Sequence, residues 1–173
     1  MNLESMRPPH YEQGLRDFCQ AVKAHIKKEK FTLVEVGSFT GESAVIFAQE
    51  FPQAKIFCVD PFLGGYDDND YCSRHDFESV ESKFDLRTKD YPNITKVKKL
   101  STQVTKKCDI VYLDGNHTFE AVKEDILHWK PQTKSIISGH DYTTHSGVHD
   151  AVNKLLGTPD ATFQDASWIK YVS

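Results

Sequence analysis

Residues 31–60 read "FTLVEVGSFTGESAVIFAQEFPQAKIFCVD". An apolar run over 31–36 enters a turn that holds Gly37 and Gly41. A helical stripe of Ala44, Phe47, Ala48 and Phe51 follows, and a second apolar run over 55–59 closes on Asp60. Two strands joined by a helix are parallel neighbours, because an antiparallel pair needs only a short turn.

The same alternation continues outward. Strand-like runs recur at 94–98 (ITKVK), 109–113 (DIVYL) and 134–138 (KSIIS). Helical stripes are formed by Tyr11, Leu15, Phe18, Val22 and Ile26, by Phe119, Val122, Ile126 and Trp129, and by Val148, Ala151, Val152, Leu155 and Leu156. The tail "TFQDASWIKYVS" differs. It reads as two short strands around Asp165–Ser167, too close for a helical crossover and therefore an antiparallel hairpin at a sheet edge. The pattern predicts an α/β fold: a seven-stranded, mainly parallel sheet with helices on both faces and an antiparallel C-terminal hairpin.

Composition limits the function classes. The 173 residues suit one domain over 1–173, with an N-terminal helix inside 1–30. No run of about 18 apolar residues is present to span a membrane. "MNLESMRPPHYEQ" lacks the basic-then-apolar order of a secretory signal. A net charge of −4 argues against nucleic acid as the main partner, and the lysines of "KAHIKKEK" and "KVKK" read as solvated faces. Cys19, Cys58, Cys72 and Cys108 are scattered without a C-x-x-C pair, which suits a reducing, cytoplasmic compartment. Cys58 and Cys108 read as core residues, as do Trp129 and Trp168.

The glycine turn at the end of the first strand lets a ligand approach the backbone, and the helix beyond offers free N–H groups to an anion. The spacing is G-x-x-x-G and not the G-x-G-x-x-G of dinucleotide folds, which argues against a nicotinamide-dependent oxidoreductase. Glu42, in the first helical turn, would oppose a pyrophosphate. A ligand without phosphate fits better. S-adenosylmethionine has cationic groups that tolerate Glu35 and a carboxylate that suits the helix N-terminus. Asp60, about twenty residues past the turn at a strand end, is placed to take ribose hydroxyls.

"EVGSFTGES", "VDPF", "YLDGNHTFEAVKEDI" and "SGHDYTTHSGVHDAV" together resemble the class I S-adenosylmethionine-dependent methyltransferases. They most resemble a branch of small enzymes related to macrocin O-methyltransferase and, more distantly, to catechol O-methyltransferase. The resemblance covers about residues 31–156 and implies a Rossmann-like fold. It also implies that Glu35, Gly37, Ser38, Phe39, Thr40 and Gly41 surround the methionine part of the cofactor. Asp60 would hold the ribose, Ser101 or Thr102 would lie near the adenine, and Asp114 would face the cofactor from the fourth strand.

Asp114 in "VYLDGNH" and His140–Asp141 in "ISGHD" end the fourth and fifth strands, so the sheet should bring them to the cofactor's rim. Transfer to a hydroxyl needs alignment and removal of a proton. Two mechanisms fit: His140 or His117 as a general base, or Asp114 and Asp141 holding a divalent cation such as magnesium. The resemblance implies an acidic pair at the fifth strand where this chain has His140–Asp141.

His145 and His149 have the i, i+4 spacing that zinc uses on a helix. Gly147 interrupts them where the helix should begin, so they read as a loop histidine and a helix-flank histidine. The long loop 61–76, with Asp67, Asp68 and Asp70, lacks the glycine and distant glutamate of a calcium loop and reads as a solvated lid. The expected activity is methyl transfer to oxygen on a small molecule. Lid, N-terminal helix or a second copy of the chain would cover that acceptor. A cofactor-binding protein without methyl transfer is the alternative from another class.

Overall fold

The computed structural model describes residues 7–67 and 70–172. In chain order the elements are α1 (Pro9–His25), β1 (Thr32–Val36), α2 (Glu42–Glu50), β2 (Lys55–Val59), α3 (Phe77–Thr88), β3 (Ile94–Val97), β4 (Cys108–Leu113), α4 (Phe119–Trp129), β5 (Thr133–Gly139), α5 (Ser146–Leu156), β6 (Ala161–Thr162) and β7 (Trp168–Tyr171). The seven strands form one sheet in the order β3-β2-β1-β4-β5-β7-β6. β1 to β5 are parallel, while β7 pairs antiparallel with both β5 and β6. The expected seven-stranded Rossmann-like architecture and its terminal hairpin are therefore present.

Strand alternation sorts the core into two layers. Leu33, Ile56, Ile110, Tyr112 and Ile136 point to the face covered by Leu15, Phe18 and Val22 of α1, Phe47 of α2 and Phe84 of α3. Val34, Val59, Val111, Leu113 and Ile137 point to the other face, covered by Val122, Ile126 and Trp129 of α4 and Val148 and Val152 of α5. All six residues of β4 are buried, as expected of a central strand sheathed on both faces. Cys58, Cys108, Trp129 and Trp168 lie in this core.

Helix α3 has no counterpart in the sequence reading. Its buried side is only Val80, Phe84 and Thr88, set among charged residues, so no broad apolar stripe announces it. The usable signal was Asp76, whose side chain accepts from Glu78 N–H as an N-cap. Thr118 caps α4 in the same way, accepting from Ala121 N–H.

Gly37 has φ +82°, and a Cβ there would stand 2.0 Å from the Asp114 carbonyl oxygen. Gly65 has φ +72° but open space around it. Gly37→Ala should therefore lower unfolding stability by at least about 2 kcal/mol, and Gly65→Ala by about 1 kcal/mol, the cost of conformational strain alone. Urea denaturation of the two variants checks this. Equal losses would mean that the close approach to β4 carries no energy of its own.

Candidate active site

The C-terminal ends of β1, β2, β4 and β5 share one rim of the sheet, where open α/β folds bind ligands. The turn after β1 is built from three left-handed residues, Gly37, Phe39 and Gly41, with φ of +82°, +47° and +80°. Phenylalanine tolerates that region poorly, and Asp60 holds it there. One Asp60 oxygen accepts from Phe39 N–H at 2.9 Å and the other from Phe62 N–H at 2.7 Å. Phe62 is itself left-handed, with φ +51°. Burial pushes the Asp60 carboxyl pKa up against these two N–H groups, which favour its charge.

A cavity of about 720 Å³ opens along this rim. Gly37, Ser38, Phe39 and Thr40 line it from the first turn, Asp60 from β2, and Ser101 and Thr102 from the segment after β3. Asp114 and His117 follow β4, and His140 and Asp141 follow β5. The volume falls in the range of small-molecule sites, about 300–1,000 Å³. Ser101 accepts from the Trp129 indole N–H at 2.8 Å, which ties this wall to the core.

Two residues expected around the cofactor do not line the cavity. Glu35 is fully buried beneath the turn, level with Cys58 and Tyr112 on the α1–α2 face, and does not line the cavity. Strand alternation puts it there: it shares a face with Leu33. Burial raises its carboxyl pKa, with Ser43, Ser38 and Cys58 opposing the rise. Gly41 also lies outside the lining, as the left-handed cap of α2 against Phe84 and Thr88.

At the far end of the cavity four groups converge. Asp141 Oδ2 stands 3.1 Å from His117 Nε2 and 3.1 Å from His140 Nδ1. Asp114 Oδ1 stands 3.7 Å from His140 Nδ1 and 4.0 Å from His117 Nε2. Asp141 has φ +62°, a strained backbone that turns its carboxylate toward both imidazoles. Burial works against the His117 charge, but Asp114 and Asp141 outweigh it and push its pKa up to about 10. His140 is raised by the same two carboxylates, again against burial. Burial would raise Asp141, yet the two histidines hold its carboxyl well below the usual range. His117 and Asp141 are thus an ion pair at neutral pH, and His117 holds a proton that a general base would need to lack.

His145 is more than a loop histidine. Its Nδ1 lies 3.2 Å from Asp141 Oδ1, and its ring lies 4.4 Å from that of His117. It stands at the N-cap position of α5, whose start presses on the His117 carbonyl because Gly147 has no Cβ, which would come within 2.3 Å of it. His149 stays outside, exposed and bonded to Asp150. Asp70 is also misread as part of a solvated lid. It is 9% exposed, takes the Tyr66 hydroxyl at 3.1 Å, and stands 3.3 Å from His117 Nδ1. Asp68 lies outside the described residues.

Several lining residues have no motif in the sequence: Arg7, Tyr11, Glu42, Tyr66, Asp70 and Asp125. Glu42 carried a partial signal as an acid in the first turn of α2. Its carboxylate accepts from Arg7 N–H at 3.1 Å and pairs with Arg87 at 3.3 Å. Burial pushes Asp125 up to about 6, with Ser101 opposing. It faces inward from α4, a placement that helical spacing alone does not reveal.

The ion pairs set a pH dependence. His117 is raised from 6.5, so its contribution is full below about pH 6.5 and is lost as pH rises towards 10. Asp141 is lowered from 3.8, so its contribution is present above that value and lost as pH falls below it. In chelator-containing buffer, unfolding stability of His117→Gln should therefore fall less than wild type between pH 6.5 and 10. Parallel curves over that window would show that His117 is not charged in the folded state.

A family model described as a methyltransferase domain matches residues 34–142, from the middle of β1 to just past β5. No curated protein matches the chain. Among solved structures, an assigned caffeoyl-CoA O-methyltransferase from Staphylococcus aureus superposes with TM-score 0.65 at 13% identity, over 92% of this chain and 82% of that one. An assigned rRNA methylase from Clostridium thermocellum gives 0.63 at 13% identity, over 92% and 96%. An assigned O-methyltransferase from Nostoc punctiforme gives 0.57 at 15% identity, over 80% of this chain and 39% of that one. This chain therefore spans well under half of the Nostoc protein. At such identities these likenesses establish the fold alone. The family rests on the matched model, which covers more than half of the sequence: the chain belongs to the S-adenosylmethionine-dependent methyltransferase domains.

Proposed function

We propose that the protein moves the methyl group of S-adenosylmethionine to an oxygen of a small molecule, a sugar or a secondary metabolite. Within the family we place it in the branch related to macrocin O-methyltransferase, and in the cell in the cytoplasm. One observation carries the acceptor reading: a 720 Å³ cavity that ends in the cluster of Asp114, His117, His140 and Asp141. That end holds hydrogen-bonding groups suited to a hydroxyl, and it is covered by Arg7, Tyr11 and the loop after β2. A second copy of the chain would extend that cover.

The residues fit the cofactor. Gly37 lets the turn after β1 press on the Asp114 carbonyl, and Ser38, Phe39 and Thr40 line the cavity where the methionine part would lie. Asp60 has lone pairs left for ribose hydroxyls after serving Phe39 and Phe62. Ser101 and Thr102 would border the adenine. Bound there, the cofactor supplies a methyl carbon already activated by its sulfonium.

The protein's work is then alignment and proton removal. His117, charged beside its carboxylate neighbours, and His140, whose proton affinity they raise, donate to the acceptor and fix its oxygen. We assign the proton-accepting role to Asp114, the cavity-lining carboxylate between the two imidazoles. Asp114 and Asp141 offer oxygen to a cation such as magnesium, but the imidazole nitrogens of His117 and His140 beside them suit it poorly.

Calorimetric titration with S-adenosylhomocysteine tests the reading, with NAD as control. Binding in the low micromolar range or tighter is expected, about −8 kcal/mol. Asp60→Ala should weaken it at least about tenfold, a loss of about 1.4 kcal/mol. No binding by a folded sample would sink the proposal. Asp114→Asn should keep that binding and lose transfer of labelled methyl to hydroxylated small molecules. Binding by the wild type without transfer to any acceptor would favour a cofactor-binding protein that performs no methylation.

A further inference from the structure

Each imidazole at the reacting end has an inner and an outer nitrogen. The inner ones, Nε2 of His117 and Nδ1 of His140, both stand 3.1 Å from Asp141 Oδ2. The outer ones, Nδ1 of His117 and Nε2 of His140, are buried and make no hydrogen bond among the described residues. Buried polar atoms of that kind are rare and need a physical reason. Each faces a buried carboxylate from another part of the chain. His117 Nδ1 lies 3.3 Å from Oδ2 of Asp70, in the loop after β2. His140 Nε2 lies 3.9 Å from Oδ2 of Asp165, in the turn between β6 and β7.

We propose that Asp70 and Asp165 are positioning residues for methyl transfer: each holds the outer nitrogen of one imidazole and so aims the inner nitrogen at the acceptor oxygen. This role rests on the reading of His117 and His140 as donors to that oxygen. Which ring nitrogen carries a proton is set by what the other one meets, and a fixed carboxylate behind the ring also stops its rotation. The present separations exceed a charge-assisted hydrogen bond, about 2.7–2.9 Å. Contacts of this kind tighten once substrate fills the site.

The two carboxylates are built alike. Asp70 Oδ1 accepts from Cys72 N–H at 2.8 Å, and Asp165 Oδ1 accepts from Ser167 N–H at 3.2 Å. Each thus closes a turn with the residue two places on, which leaves Oδ2 toward the imidazole. Tyr66 O–H donates to that oxygen of Asp70 at 3.1 Å, and Ser167 O–H to that of Asp165 at 2.7 Å. Ser167 meets the Tyr112 hydroxyl of β4 at 2.7 Å, which ties the hairpin turn to the central sheet. From the other side Gly14 of α1 presses on the turn, where a Cβ would stand 2.5 Å from Asp165 N. Arg7 lies 3.8 Å from the same Asp165 oxygen, so the cover of the cavity and His140 share one carboxylate.

The experiment follows the imidazole nitrogens by heteronuclear magnetic resonance in full-length protein with isotope-labelled histidine. The samples are saturated with S-adenosylhomocysteine in chelator-containing buffer at neutral pH. Wild type should show a slowly exchanging proton on Nδ1 of His117 and on Nε2 of His140. Asp70→Ala should lose the first and keep the second, and Asp165→Ala should do the reverse. Asp70→Asn and Asp165→Asn, which keep an oxygen in each place, should retain both. General loosening of the site would move both imidazoles together, so the crossed pattern separates positioning from mere support. If Asp165→Ala fails to bind S-adenosylhomocysteine, Ser167→Ala, which frees Oδ2, takes its place. On the hydroxylated acceptor that wild type methylates fastest, each Ala variant should lower kcat at least about tenfold with KM changed less than about threefold. The Asn variants should restore most of that rate. Protons that persist in both Ala variants, or vanish together in either, would overturn the proposal, as would an unchanged kcat beside the crossed pattern. Such results in an active enzyme sink the positioning role alone. Wild type that binds product but methylates nothing sinks the proposed function, and this role with it.

Discussion

The architecture of the site depends on one contact, that between the bare Cα of Gly37 and the carbonyl of Asp114. A Cβ at Gly37 would come 2.0 Å from that oxygen. Because the two chains touch there, the turn after β1 and the residues after β4 form one continuous wall. Asp60 completes the arrangement by holding Phe39 and Phe62 in left-handed conformations from the next strand. The glycine and the aspartate therefore shape the backbone before they can touch any ligand.

At the other end of the cavity the organising force is electrostatic. Asp141 lies between two imidazoles, and Asp114 faces both. Taking such groups out of water is costly unless each charge finds a partner, and here each does. The result is a polar cluster at the mouth of an otherwise apolar sheet. Asp114 and Asp141 raise the proton affinity of both His117 and His140 against their burial.

The long loop after β2 is part of the site. Tyr66 and Asp70 reach into the cavity, and Asn116 donates to the Tyr66 carbonyl at 2.9 Å. Asp70 carries that connection on to His117. A loop that reads as polar and solvated from composition becomes a wall because Asp70 meets His117 from the segment after β4. Nothing in its own sequence shows that meeting.

The sequence by itself determined the order of the strands and of every helix but α3, the parallel sheet and its antiparallel end, since periods of 2 and 3.6 and turn residues are local properties. It also pointed to Gly37, Asp60, Asp114, His140 and Asp141, because strand ends in such a sheet share a rim. Tertiary structure decided the rest. Glu35 was turned away from the cavity by strand alternation, and His145 was drawn to Asp141 by the packing of α5 on the segment after β4. Asp70, Glu42, Arg7 and Asp125 entered the lining from elements far apart in the chain. Charge state follows the same division: a histidine's identity is written in the sequence, but its affinity for a proton is set by the carboxylates that the fold places around it.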